Sequence, residues 1–402
     1  MNSFAAKLAL LSGATLVALI GAEIVVRAVQ SISPNRPVDY LTEYDATLGW
    51  SKARNATAKV DKAEFQVTER TNSQGLRGPD VEFAKPEGTL RVLLLGDSFL
   101  EGYTVNEADL VSEVVRSELE SRLGTQVDVI NAGTVGYSTD QELLFYESEG
   151  RKYSPDLTIV MFYVNDVWFN HQSSYWRGRK PYFELNGGAL ELKNNPVPAP
   201  DPESFAYAVQ AGQGFTGMIR GMDATLGRHS TLYQTARDVV RETPMIRGLL
   251  TETGLVPVPG EWTPWRKRMT PELSSAWAVT EALLARLRDG AESDGSAFAA
   301  FYVPSRPAVY PSDWEQTKTT YAMDDSGWDP ANDAVELRNI CERQRFDCLI
   351  PIDEFRAEAR RLEPSGESLY FWEDAHWSPH GHRLAGELIG ELAAQCLSPD
   401  PR

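Results

Sequence analysis

Arg91-Val92-Leu93-Leu94-Leu95-Gly96-Asp97-Ser98-Phe99 is the stretch on which the fold turns. Val92 to Leu95 form a short, continuous apolar run, the pattern of a strand covered by helices on both faces. Gly96 ends that run, and Asp97 and Ser98 follow at once. In open α/β sheets the ligand crevice lies beyond the carboxyl ends of the strands, so a serine at this point faces it. Taken alone, Gly-Asp-Ser is equally the sequence of an ordinary turn, with Gly96 bending the chain and Asp97 or Ser98 capping a neighbour.

Four further runs of the same kind follow: Val127 to Ile130, Leu157 to Val164, Ala297 to Val303 and Cys348 to Ile352. Helical segments alternate with them. Leu110, Val114, Val115, Leu119 and Leu123 make one apolar face that stops at Gly124, a natural helix terminator. Thr139 and Glu142 have the spacing of a capping box ahead of Leu143 to Tyr146. Thr270-Pro271 opens a helix running to Gly290, and Ser378-Pro379 opens the last one, with Ala385, Leu388, Ile389, Leu392 and Cys396 at helical spacing. The order βαβαβ, insertion, αβαβα predicts an α/β fold on a parallel five-stranded sheet.

The organisation expected around this core is an N-terminal segment over 1–30, an extended polar lead-in over 31–88, and the α/β body over 89–402. An insertion at about 168–265 reads as a lid. Within it, Lys180 to Gly188 reads as a strand turning at Asn-Gly, with Ala189 to Leu192 returning, and a helical stretch spans about Gly217 to Leu250. The cluster Trp262, Trp265, Tyr175 and Trp176 reads as packing, or as a platform for a sugar ring.

Lys7 and Arg27 bracket Leu8 to Val26, an apolar stretch interrupted by Ser12, Thr15 and Glu23. At about 1.5 Å per residue it nearly covers a hydrocarbon core of roughly 30 Å, with Glu23 near the interface. The expectation is a transmembrane signal anchor with Lys7 on the cytoplasmic side and a periplasmic body. The alternative is a cleaved signal peptide ending at Gly21-Ala22, for which Ile20 makes a poor cleavage site.

The 402-residue chain has a formal charge of −18 and no dense Lys/Arg cluster, which opposes phosphate attraction and sets nucleic acid aside. Three cysteines are too few for a disulfide scaffold. Cys341 and Cys348 could close a short loop or stay reduced, and Cys396 falls on the final helix.

Three polar strand ends join Ser98. Asn131-Ala132-Gly133-Thr134-Val135-Gly136 follows the second strand, where glycine lets backbone N–H groups approach a substrate oxygen. Asn165-Asp166 follows the third, offering a side-chain amide to the same oxygen. Near the C-terminus, Glu373-Asp374-Ala375-His376-Trp377 puts a loop histidine beside carboxylates, the makings of a general base and its orienting acid. Each element alone is an unremarkable turn; a shared crevice accounts for all four. His376, His380 and His382 invite a zinc reading, but Pro379 separates His376 from the helix carrying the others, so no metal is expected.

In this order the elements resemble those of the SGNH, or GDSL-like, hydrolases. Ser98 matches the block I serine, Gly136 the block II glycine, Asn165 the block III asparagine and His376 the block V histidine. The resemblance implies a flavodoxin-like three-layer α/β/α fold with strand order 2-1-3-4-5, and no cofactor. It implies Ser98 as nucleophile, His376 as base, and an oxyanion hole of the Ser98 and Gly136 N–H groups with the Asn165 amide. Two positions depart from the family pattern. Tyr163 and Val164 precede Asn165 where a glycine is usual. Asp374 stands two residues before His376 rather than three, leaving Asp374 as the expected triad acid and Glu373 in reserve. Asp-x-His-Trp also resembles the acid-base motif of alginate O-acetyltransferase-type members of the same superfamily. The expected function is a serine esterase removing a short acyl group such as O-acetyl, with an acyl-ester substrate carried on envelope carbohydrate. The alternatives are an O-acyltransferase to a polysaccharide using the same triad, and an unreactive membrane-anchored binding protein.

Overall fold

The computed structural model describes residue 15 and residues 18–27, 41–175, 178–199, 230–233, 235, 243–254 and 256–398. Its centre is a parallel five-stranded sheet: β1 (Leu90–Gly96), β2 (Val127–Gly133), β3 (Leu157–Phe162), β4 (Ala297–Tyr302) and β5 (Asp347–Leu349). The spatial order is 2-1-3-4-5, with Gly96 of β1 paired to Gly133 of β2 on one side and to Met161 of β3 on the other. Four of the five sequence runs locate these strands closely, although β3 stops at Phe162. The fifth run starts one residue late and runs too far, because Pro351 has no N–H for the ladder and Ile352 already opens a helix.

Strand side chains alternate between two apolar layers, which is why the runs are continuous. Leu93, Leu95, Val160, Phe162 and Ala300 face α3 (Thr139–Ser148), α5 (Pro271–Ser293) and α6 (Asn332–Gln344). Val92, Leu94, Ile159, Met161 and Phe301 face α2 (Val111–Leu123), α7 (Ile352–Leu362) and α8 (Pro379–Leu397). The result is an α/β/α sandwich. Each fully buried Leu or Ile contributes about 1.5–3 kcal/mol, so the sheet forms the rigid floor of anything built at its carboxyl edge. Between α3 and the sheet, Glu142 is buried and Ser138, not Thr139, is the N-cap, with no side-chain cap bond; the expected capping box is therefore not made.

Residues 41–88, expected as an irregular extended lead-in, instead contain two antiparallel hairpins, Thr42–Asp45 with Gly49–Lys52 and Thr57–Asp61 with Gln66–Arg70. They pack on the body: Trp50 belongs to the core beneath α3, and Arg77 bridges Asn131 on the outer margin of β2. In the insertion, Tyr182–Asn186 pairs with Ala189–Lys193 through Gly187 and Gly188, whose φ of 59° and 88° suit a two-residue hairpin loop. A helix spans Pro244–Glu252; most of the remaining expected helical stretch from Gly217 lies outside the described residues.

Residues 18–27 are helical, and Glu23 accepts hydrogen bonds from Ser230 Oγ (2.9 Å) and the Thr231 and Leu232 N–H groups (2.7 and 2.8 Å) of the insertion. No helix among the described residues is long and apolar enough to cross a membrane, and the rest of the Leu8–Val26 stretch, apart from Thr15, lies outside them. Cys341 and Cys348 form a disulfide joining α6 to β5, and Cys396 is a free thiol.

Candidate active site

The loop that carries Ser98 is built by tight packing at the end of β1. Asp97 caps the one-turn helix α1 (Ser98–Glu101), its Oδ1 accepting the Phe99 N–H at 2.9 Å, and Gly102 closes the turn at φ 67°. Helix α1 presses directly on β2: a Cβ at Gly133 would stand 2.2 Å from the Glu101 backbone nitrogen. Ser98 therefore opens a turn held from below by two strands.

His376 arrives from the loop before α8. Phe371 N–H donates to the His376 carbonyl (2.9 Å) and Ala375 N–H to the Phe371 carbonyl (3.0 Å), closing a compact loop. Ala375 is left-handed at φ 68°, an unusual conformation for a residue with a Cβ. That twist brings the side chains of its two neighbours together, so Asp-x-His spacing suffices. His376 Nε2 lies 2.8 Å from Ser98 Oγ, and His376 Nδ1 lies 2.8 Å from Asp374 Oδ1. Glu373 is exposed and makes no hydrogen bond to the imidazole among the described residues. Of the two acids, Asp374 is the one that lies beside the imidazole.

Tyr103 is a residue the sequence reading missed. Its hydroxyl donates to Asp374 Oδ1 at 2.7 Å and lies 3.0 Å from His376 Nδ1. Its ring, with that of Phe99, walls the imidazole at centroid distances of 5.0 and 4.7 Å. The only signal available was its place one residue past the Gly102 that ends the Ser98 turn.

Hydrogen bonding and charge move the pKa values of His376 and Asp374 in opposite directions. Burial alone would lower the His376 pKa, but the hydrogen bond and charge of Asp374, followed by the charge of Asp97, lift it above the ordinary imidazole value. Burial alone would raise Asp374, yet the bond and charge of His376 and the Tyr103 hydroxyl hold it below the usual carboxylate value. Asp97, enclosed beside Ser98, is pushed by burial up to about 6 despite the Phe99 N–H and the charge of His376.

The oxyanion candidates sit at the carboxyl ends of β1, β2 and β3, which are adjacent strands. Gly136 is buried at φ 74°, and the Ser98 and Gly136 N–H groups have no acceptor among the described residues. Asn165 is the first residue of α4 (Asn165–Phe169), 8% exposed, with its Oδ1 unpartnered. The atypical Tyr163 and Val164 before it are used in packing: Tyr163 lies 4.8 Å from Phe99 ring to ring, and Val164 joins the core with Trp265. Trp262 and Trp265 stack at 4.5 Å, and Tyr175 stacks on Phe169; Trp176 lies outside the described residues. Among the described residues no group of His, Cys, Asp or Glu is arranged to hold a metal ion.

A serine, an imidazole and a carboxylate in one hydrogen-bonded row at the carboxyl edge of a 2-1-3-4-5 sheet agree with the family match, which spans residues 94–384. The chain belongs to the GDSL-like Lipase/Acylhydrolase family. It is an SGNH-type hydrolase, an enzyme of the esterase and acylhydrolase class. No curated protein matches its sequence. Among solved structures, this GDSL-like hydrolase is similar to the lipase/acylhydrolase from Enterococcus faecalis, with 12% identity and a TM-score of 0.37 over 78% of this chain and 100% of that one. It is similar also to an acetylxylan esterase from Geobacillus stearothermophilus, with 11% identity and a TM-score of 0.38 over 77% of this chain and 95% of that one. An enzyme from the metagenome of Lake Arreo, Spain, matches at 11% identity and a TM-score of 0.38 over 79% of this chain and 99% of that one.

Proposed function

We propose that the chain cleaves a short acyl ester, such as an O-acetyl group on an envelope carbohydrate, with Ser98 as nucleophile, His376 as base and Asp374 as the orienting acid. The observation that carries this reading is the unbroken row of hydrogen bonds from Ser98 Oγ through both imidazole nitrogens to Asp374 Oδ1. Ser98 Oγ attacks the acyl carbon while Nε2 takes its proton. The tetrahedral oxyanion is held by the Ser98 and Gly136 N–H groups and the Asn165 amide. Nε2 returns the proton to the leaving alcohol, and water then releases the acid by the same steps in reverse. The Leu8–Val26 stretch would hold the enzyme at the outer face of the cytoplasmic membrane, with its body in the periplasm, unless cleavage after Ala22 frees it.

The test is labelling by a fluorophosphonate, followed by release of acid from acyl esters of increasing chain length. Labelling should be lost in Ser98→Ala, and Asn165→Ala should lower kcat by about 10²-fold or more. An unlabelled wild type would remove the serine mechanism and favour the binding-protein alternative. Acetate passed to an added glycan rather than to water would move the assignment to O-acyltransferase, the activity that the Asp374-Ala375-His376-Trp377 motif also suggests.

A further inference from the structure

The two N-terminal hairpins precede the family match, yet they touch the loops that carry Ser98, Gly136 and His376. Glu64, at the tip of the second hairpin, accepts three consecutive backbone N–H groups of the acid-base loop: Trp372 at 2.6 Å, Glu373 at 2.8 Å and Asp374 at 3.2 Å. Next to it, the Phe65 ring packs 4.7 Å from Phe371 and 6.3 Å from Tyr103. The first hairpin grips the other side of the site. Trp50 Nε1–H donates to the Val135 carbonyl at 2.9 Å, and the Tyr137 hydroxyl donates to the Trp50 carbonyl at 2.6 Å, so the loop carrying Gly136 is tied at both neighbours. Buried Lys52 pairs with Glu69 at 2.7 Å and with Glu101 of the nucleophile turn, whose second oxygen accepts the Val135 N–H. Arg77 adds bonds of 3.3 Å each to the Gly102 and Val105 carbonyls.

We infer that these hairpins form a positioning clamp for catalysis, in which Glu64 sets Asp374 against His376 and Trp50 sets the Gly136 loop. The inference rests on the triad reading above. A carboxylate taking three successive N–H groups fixes the path of that loop. The Asp374 side chain leaves the loop at the third of those residues, so its direction toward Nδ1 follows from the grip. Glu64 and Trp50 are positioning residues, since neither touches the reacting atoms.

Lys52 is a poor probe, because removing it strands two buried carboxylates and threatens folding. Glu64 is half-buried on a turn, and its removal leaves the core intact. Glu64→Ala should slow fluorophosphonate labelling of Ser98 and lower kcat by about 10²-fold, with KM changed by no more than about twofold. Glu64→Gln, which keeps one carbonyl acceptor, should recover most of that loss. Trp50→Phe, which keeps an aromatic ring but loses the N–H and the rest of the indole, should lower kcat several-fold. A proton NMR resonance from His376 Nδ1–H, expected far downfield in the wild type because of the Asp374 bond, should move upfield or broaden in Glu64→Ala and return in Glu64→Gln. Labelling and kcat at wild-type levels in Glu64→Ala, or a melting temperature that falls while both persist, would overturn the clamp. A wild type that takes no label would sink the Ser98 reading alone, because the resonance still reports whether Glu64 sets the Asp374–His376 contact.

Discussion

Asp374 is half-buried where its neighbour Glu373 is exposed, and one left-handed residue separates Asp374 from His376. Asp374→Asn should reduce kcat/KM at neutral pH by about 10²- to 10⁴-fold, because the imidazole loses both its orientation and its charge partner. Glu373→Gln should leave it within about twofold. The two variants assayed side by side on one ester decide the acid. The pH profile carries the same information. In the proposed mechanism His376 must be neutral to take the serine proton, and its pKa is raised, so activity should fall as pH drops through a value above the ordinary imidazole value. The groups facing that ring are Asp374, Asp97, Tyr103 and His382, with Lys62 acting on Asp374. With Asp374 neutralised, the acid limb should move to lower pH, and an unmoved limb would assign it to another group.

The packing of α1 on β2 leaves no room for a methyl group at Gly133, where the nearest contacts are backbone atoms of Leu100 and Glu101. Gly133→Ala should destabilise the fold by about 1–3 kcal/mol and displace the turn bearing Ser98, so labelling should fall more than the melting temperature alone explains. An unaltered labelling rate would show that the turn is not set by β2. At this scale the sequence was informative where one local rule decides the outcome. Short apolar runs gave the strands, and Thr270-Pro271 and Ser378-Pro379 opened helices where the Thr270 and Ser378 side chains do accept N–H groups of the first turn. It was silent where partners lie far apart in the chain. The Thr57–Asp61 and Gln66–Arg70 strands are short and half-exposed, and their value comes from contacts about 300 residues away, such as Glu64 with Asp374. Thr139 and Glu142 mimicked a cap because the spacing cannot show that Glu142 is turned into the core.

Viewed whole, the body keeps a set of enclosed acids behind its reactive edge. Glu142 has neither oxygen hydrogen-bonded, and burial, then the charges of Asp166, Asp97 and Asp140, push its pKa far above the ordinary value. A carboxyl with a raised folded pKa binds its proton more tightly in the native state, so its contribution to stability is lost as pH climbs from the unfolded value, about 4.3, toward the folded one. Each proton so linked costs up to about 1.4 kcal/mol per pH unit across that window. Glu142→Gln keeps the shape and abolishes the titration. The variant should melt close to the wild type at pH 5 and above it at pH 8, and a constant difference between the two pH values would show that Glu142 is not held protonated.

The ends of the sheet have a consequence of their own. On one flank Arg77 already occupies the backbone of Asn131, and on the other β5 is three residues long. The β5 flank offers another molecule only a short row of backbone groups, the Arg77 bridge interrupts the row along β2, and the charge of −18 repels close approach. The fold is thereby guarded against strand-by-strand polymerisation, even though its centre is built from the apolar segments most prone to it.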